Sequence, residues 1–221
     1  MGRDDWFRRR TWSEQDAADF EQRLRRCRGP ASKAQSLRIQ AFHLAEVGLH
    51  REALALLSRL LRDFPEPCQL ASSFLQRAKS LAALQDCDGA IESFRAALAA
   101  EDGYPNMLPG SPLEFAWFIV SRERTELYRE VESLLLRHEG KHGVTFPVER
   151  FKCAAARAIV ADEQGRPADA ERFACEARDA AQERHSGFRY HPDLGVVDHV
   201  PAGIARRLAT IGGVSPGDAA G

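Results

Sequence analysis

Several things are scarce or missing in these 221 residues. No apolar run approaches the length of about 18 residues that a membrane-spanning helix needs, so none is predicted. Only five cysteines occur, at Cys27, Cys68, Cys87, Cys153 and Cys175. They are odd in number, scattered, and never in a CxxC pair. That pattern suggests neither a disulfide framework nor a cysteine metal site, and predicts free thiols in a reducing compartment. Lysine occurs four times, as Lys33, Lys79, Lys141 and Lys152, so nearly all positive charge is arginine. A formal net charge of -1 gives the whole molecule no bias toward nucleic acid or an anionic membrane. Neither a P-loop nor a G-x-G-x-x-G is present. The opening MGRDDWFRRRTWSEQD has charges but no apolar stretch after them, unlike a secretory signal. A cytoplasmic, folded protein is expected: 44% of residues are hydrophobic and 29% charged.

What is abundant is alanine and leucine at helical spacing. His50 to Pro65, HREALALLSRLLRDFP, carries Ala53, Leu57 and Leu60 on one helical face, with Pro65 as a breaker beyond. The phrase returns as DGAIESFRAALAAED, with Ala90, Phe94 and Ala97, and again as PADAERFACEARDAA, with Ala170, Ala174 and Ala177. Around these segments the periodicity predicts helices at 13–28, 31–48, 50–63, 68–85, 87–100, 113–121, 124–138, 148–164 and 167–184, with a short one at 203–211. Ser13 and Asp16 resemble a capping box for the first. The stretch Glu101–Pro112, with three prolines and two glycines, predicts a loop, and Gly140–Pro147 a second break. Trp6, Phe7 and Trp12 among Arg8, Arg9 and Arg10 read as an arm that folds back to cap the first hairpin; the alternative is a binding arm. The pair Tyr190 and His191 reads as a packed cap on the last hairpin; the alternative is a functional pair.

Aligning Ala53, Ala90, Leu127 and Ala170 gives intervals of 37, 37 and 43 residues. Twelve residues before each stand Ala41, Ala78, Phe115 and Ala158; five before stand Gly48, Gln85, Arg122 and Gly165. Small residues at these two positions let paired helices approach closely. The pattern resembles the tetratricopeptide repeat, a helical hairpin of about 34 residues. It is clear in the first, second and fourth hairpins and weak in the third.

The resemblance implies an all-α chain, a right-handed superhelical stack of antiparallel helical hairpins. Residues 1–30 would form an N-terminal arm and capping helix, 31–184 the repeat domain, and 185–221 an irregular tail. It also implies a non-catalytic scaffold without cofactor or metal, binding another protein's peptide or helix on a concave face. The inner-face positions carried over are Gln35, Arg38 and Phe42, Leu75 and Lys79, Ile119, and Lys152 and Ile159. The family's lysine–asparagine clamp for a chaperone tail is not reproduced, because Phe42 and Lys79 stand where asparagines would be. Two other chemistries remain as alternatives. His138-Glu139-Gly140-Lys141-His142 spells H-E-x-x-H, the zinc-peptidase motif, but its glycine and lysine suit a helix end better. Arg23, Arg25, Arg26 and Arg28 could serve a nucleic-acid-linked regulator, though Asp19 and Glu21 dilute them.

Overall fold

A computed structural model describes residues 5–142, 146–211 and 213; for 139–142 it describes the backbone alone. Among the described residues the chain forms ten α-helices and no strand. They are α1 (Glu14–Arg26), α2 (Pro30–Glu46), α3 (His50–Asp63), α4 (Pro67–Ala83), α5 (Cys87–Gly103), α6 (Ser111–Ser121), α7 (Tyr128–His142), α8 (Pro147–Glu163), α9 (Pro167–Gln182) and α10 (Ala202–Ile211). The chain divides into two compact units, Met1–Ser111 and Pro112–Gly221.

Local chemistry explains the boundaries. Four helices, α2, α4, α8 and α9, open on a proline, whose missing N–H is unpaired in a first turn anyway. Gly29-Pro30 therefore starts α2. At α1, Ser13 accepts from the Asp16 N–H at 3.1 Å, and the Asp16 carboxylate accepts from the Ser13 N–H at 3.0 Å, the reciprocal box expected from sequence. Two helices overrun their predicted ends. α5 continues through Glu101, Asp102 and Gly103, and its buried Glu101 accepts from the Ser111 N–H at 2.9 Å, closing the loop between. α7 continues through Gly140 to His142; a single glycine costs only about 1 kcal/mol in a helix.

Four helix pairs are joined by the same turn. In each, one residue takes left-handed backbone: Gly48 (φ 82°), Gln85 (φ 64°), Glu123 (φ 52°) and Gly165 (φ 68°). Its N–H reaches three residues back, as in Gly48 to Ala45 at 3.0 Å and Glu123 to Val120 at 3.3 Å. The next N–H reaches five back, as in Leu49 to Leu44 at 2.9 Å and Arg124 to Ile119 at 3.2 Å. Gln85 and Gly165 repeat both bonds. This pattern satisfies the last carbonyls of the first helix and reverses the chain.

The shared turn corrects the third hairpin. The pivot is Glu123, not Arg122, so the register moves by one residue. Seven residues before each pivot now stand Ala41, Ala78, Ala116 and Ala158, all buried to 1% exposure or less. Twelve before stand Ser36, Ser73, Ser111 and Cys153, again small and buried. Phe115 is a neighbouring core residue, not a substitute for the alanine. Five after the pivot stand Ala53, Ala90, Tyr128 and Ala170, all buried. Leu127, expected there, lies instead in a short 3-10 turn, Thr125–Leu127, and is half-buried.

In the first unit, α2 packs on α3, α3 on α4, and α4 on α5. One core comprises Phe20 and Leu24 from α1, Leu37, Ala41 and Leu44 from α2, and Ala53, Leu57 and Leu60 from α3. Trp6, Phe7 and Trp12 pack against it, with the Trp6 and Trp12 rings 5.3 and 5.4 Å from Phe20. In the second unit α8 and α9 form the closest pair, α7 packs on α8, and α10 covers part of both α8 and α9. Buried Tyr128 accepts a hydrogen bond from Arg207 of α10 at 3.2 Å.

Candidate functional site

The first unit gathers an unusual polar cluster on α2. Gln40 is a fully buried amide in an apolar core. It accepts from the Arg9 N–H at 3.1 Å and donates to the Arg9 carbonyl at 2.8 Å, so both ends of the amide are used on one backbone residue. A buried amide needs such partners, and the pair pins the N-terminal arm to α2. The Arg9 guanidinium then binds Asp16 and Asp19 at the start of α1. Asp16 also accepts from Ser13 and Thr11, and the Ser13 bonds above all hold its carboxyl down at about 2.

Two residues before Gln40, Arg38 is half-buried and faces α4. Its Nε donates to Gln69 at 2.6 Å, and its Nη1 donates to Gln76 at 3.1 Å, while Gln76 donates back to the Arg38 carbonyl at 3.1 Å. Among the described residues no carboxylate lies within ion-pair distance of it. Burial pushes its guanidinium below the ordinary arginine range. An arginine aimed by two neutral amides retains its full charge and has donors suited to a forked oxyanion.

Phe42 follows one helical turn later and is 44% exposed. The N-terminal arm docks on Gln40 and leaves this ring open. The ring meets His43 edge-on at 5.4 Å. His43 titrates below its ordinary value, first from burial and then from the nearby Arg8 and Arg10 charges. Glu46 opposes these two cations at the same imidazole. Gln35 and Lys79 are exposed.

The remaining predicted groove residues do not line a surface. Ile119 and Ile159 are fully buried, and Leu75 is buried at 6% exposure. Each lies on the packed side of its helix, so these three belong to the cores. Lys152 is half-buried, with its ammonium 2.8 Å from Glu114 and 5.9 Å from the Trp117 ring centre. Its charge is committed to an internal pair. Of eight expected residues, Gln35, Arg38, Phe42 and Lys79 stay exposed or half-exposed in one unit.

The H-E-x-x-H tract continues as helix, with His138 half-buried; the side chains of Glu139 and His142 lie outside the described residues. A literal G-x-S-x-G, Gly213 to Gly217, follows α10 rather than a strand, and its Ser215 also lies outside them. That motif needs a strand-to-helix elbow. Tyr190 is 79% exposed rather than packed as a cap; Phe188, two residues earlier, stacks on Phe146 at 5.5 Å. Gln40, Gln69 and Gln76 went unnoticed in the sequence, since glutamine on a helix carries no motif. The one available signal was Gln40 lying three residues after Leu37, on the apolar face.

Comparison with protein-family models, curated proteins and solved structures gave no match.

Proposed function

We propose that this chain is a non-catalytic scaffold of the tetratricopeptide-like kind, working in the cytoplasm, whose stacked hairpins hold a peptide or helical segment of another protein. The four matching turns and the buried small residue seven before each pivot support the repeat reading. No helix of the described chain is long and apolar enough to cross a membrane.

The observation that carries the binding reading is Arg38. A half-buried guanidinium with amide partners and no carboxylate is costly to desolvate and gains when an oxyanion arrives. Phe42 one turn on supplies an apolar anchor, and Arg8 and Arg10 act on the neighbouring His43. The matching ligand is a segment with an acidic side chain near a bulky apolar one, bound as extended chain or helix. The surface comprises Gln35, Arg38, Phe42 and Lys79.

Peptide-display selection tests this. The parent protein should enrich peptides pairing Asp or Glu with Leu, Ile, Phe or Met. Arg38→Gln should erase the acidic preference and Phe42→Ala the apolar one. Selection without an acidic preference would remove Arg38 from the binding surface.

A further inference from the structure

The second unit carries a surface feature that the peptide-binding reading does not use. Between α9 and α10 the chain forms a closed loop, Ser186 to Gly195. The Ser186 N–H donates to the Pro192 carbonyl at 2.7 Å and its hydroxyl to the His191 carbonyl at 2.6 Å. His191 donates to the Phe188 carbonyl at 3.2 Å, and Leu194 to the His191 carbonyl at 3.2 Å. The loop is anchored below by the Val148 N–H, which donates to the Gly195 carbonyl at 2.8 Å. Gly195 has φ 72°, and a Cβ there would fall 2.6 Å from the Phe146 ring, so the anchor demands glycine. A compact loop of this sort is ordered by its own bonds. Yet its tip is apolar and open: Tyr190 is 79% exposed, Leu194 54% and Phe188 46%. Arg189 lies 5.5 Å over the Tyr190 ring. Among the described residues neither Arg184 nor Arg189 has a carboxylate partner.

Beside this loop, at the same end of the α8–α9 pair, lies a cleft of about 300 Å³. Its buried lining is Cys153, Ala154 and Ala180, and its more exposed lining is Glu176, Asp179 and Glu183 with the single cation Arg150. Arg150 pairs with Glu183, and Glu176 pairs with Arg172. Asp179 has no cation partner among the described residues.

We infer that the Ser186–Gly195 loop is a self-association knob, and that its receptor is the acidic cleft of a second copy of this chain. Tyr190 enters over Ala154 and Ala180, its hydroxyl donates to a lining carboxylate, and Arg184 and Arg189 meet Asp179. An aromatic with a polar tip suits a cleft that is apolar where buried and acidic where exposed. Opposite unpaired charges give the contact its orientation. Because knob and cleft adjoin at one end of the same helix pair, a two-fold axis between two copies can seat both knobs at once, which closes the assembly as a dimer.

Sedimentation equilibrium on the full chain, from about 1 to 300 μM, is the test. The parent should form a concentration-dependent dimer. Tyr190→Ala and Asp179→Lys should each weaken it at least tenfold, with melting midpoints unchanged at concentrations where the parent is monomeric, because both side chains are at the surface; Arg189→Glu is the second knob variant. An equimolar mixture of Tyr190→Ala and Asp179→Lys should associate more strongly than either alone, because the first retains an intact cleft and the second an intact knob. A parent that stays monomeric throughout, variants that dimerise like the parent, or a mixture no stronger than its components would each overturn the assignment. None of these outcomes bears on Arg38, so the peptide-binding reading stands or falls separately.

Discussion

The second and third hairpins make the most instructive comparison. Both turn on a non-glycine residue in left-handed backbone, Gln85 in one and Glu123 in the other. Both carry a buried alanine seven residues earlier, Ala78 and Ala116. They part at the fifth residue after the pivot, where α5 has Ala90 and α7 has Tyr128, each buried. Ala90 permits close approach of its helix pair. Tyr128 fills the same place with a ring whose hydroxyl finds Arg207 on α10. The backbone turn is thus held constant while the side chain five residues after it changes from the smallest to one of the largest. In the third hairpin that side chain reaches a further helix, through Arg207 of α10.

The largest expected effect follows from that. Tyr128→Ala should destabilise the second unit by roughly 3–5 kcal/mol, as truncating a buried aromatic does, whereas Leu127→Ala should cost far less. Urea unfolding of the two variants checks the ordering; a greater loss at Leu127 would restore the unshifted register. Next, Ala90→Leu and Ala53→Leu should each lose roughly 1–3 kcal/mol by forcing a helix pair apart, read as a lowered melting midpoint.

Smaller effects sharpen the turn comparison. Gln85→Gly and Glu123→Gly should each stabilise by up to about 1 kcal/mol, since left-handed backbone costs a side-chain-bearing residue roughly 1–2 kcal/mol and glycine's extra chain entropy offsets part of the gain. Denaturant midpoints that fall in both variants would mean that the two side chains do something useful at the turns. The smallest effect concerns acid. Asp16 has its carboxyl lowered from 3.8 to about 2 in the folded chain. A lowered folded value means its contribution is present above the unfolded pKa and is lost as pH falls through 3.8 toward 2. Urea midpoints measured from pH 5 to 2 should therefore fall less steeply in Asp16→Asn than in the parent; parallel curves would show that the capping contacts are energetically silent.

Much of this architecture was legible in the sequence, and the reasons are local. Helix existence follows from apolar spacing, and the Ser13–Asp16 box from two residues three apart. The Gly48 and Gly165 turns were visible because glycine advertises left-handed backbone. The third turn was not, because Glu123 does not, and the misplaced pivot displaced every residue assigned around it. The exposed part of the candidate site, Arg38 and Phe42, came from a repeat register that holds in the first hairpin. Ile119 and Ile159 were assigned to a surface by a register that says nothing about which neighbouring element covers a face. The Gln69 and Gln76 partners of Arg38 are separated from it by more than thirty residues, and no short-range pattern links them.

The repeat consists of one hairpin device used four times, with the third displaced by a residue from its expected register. The most direct measurement is a matched set of four substitutions, Ala41→Leu, Ala78→Leu, Ala116→Leu and Ala158→Leu, each followed by urea unfolding. All four alanines are buried to 1% exposure or less, so each variant should lose roughly 1–3 kcal/mol. An Ala116→Leu variant as stable as the parent, beside three destabilised ones, would contradict the shared register.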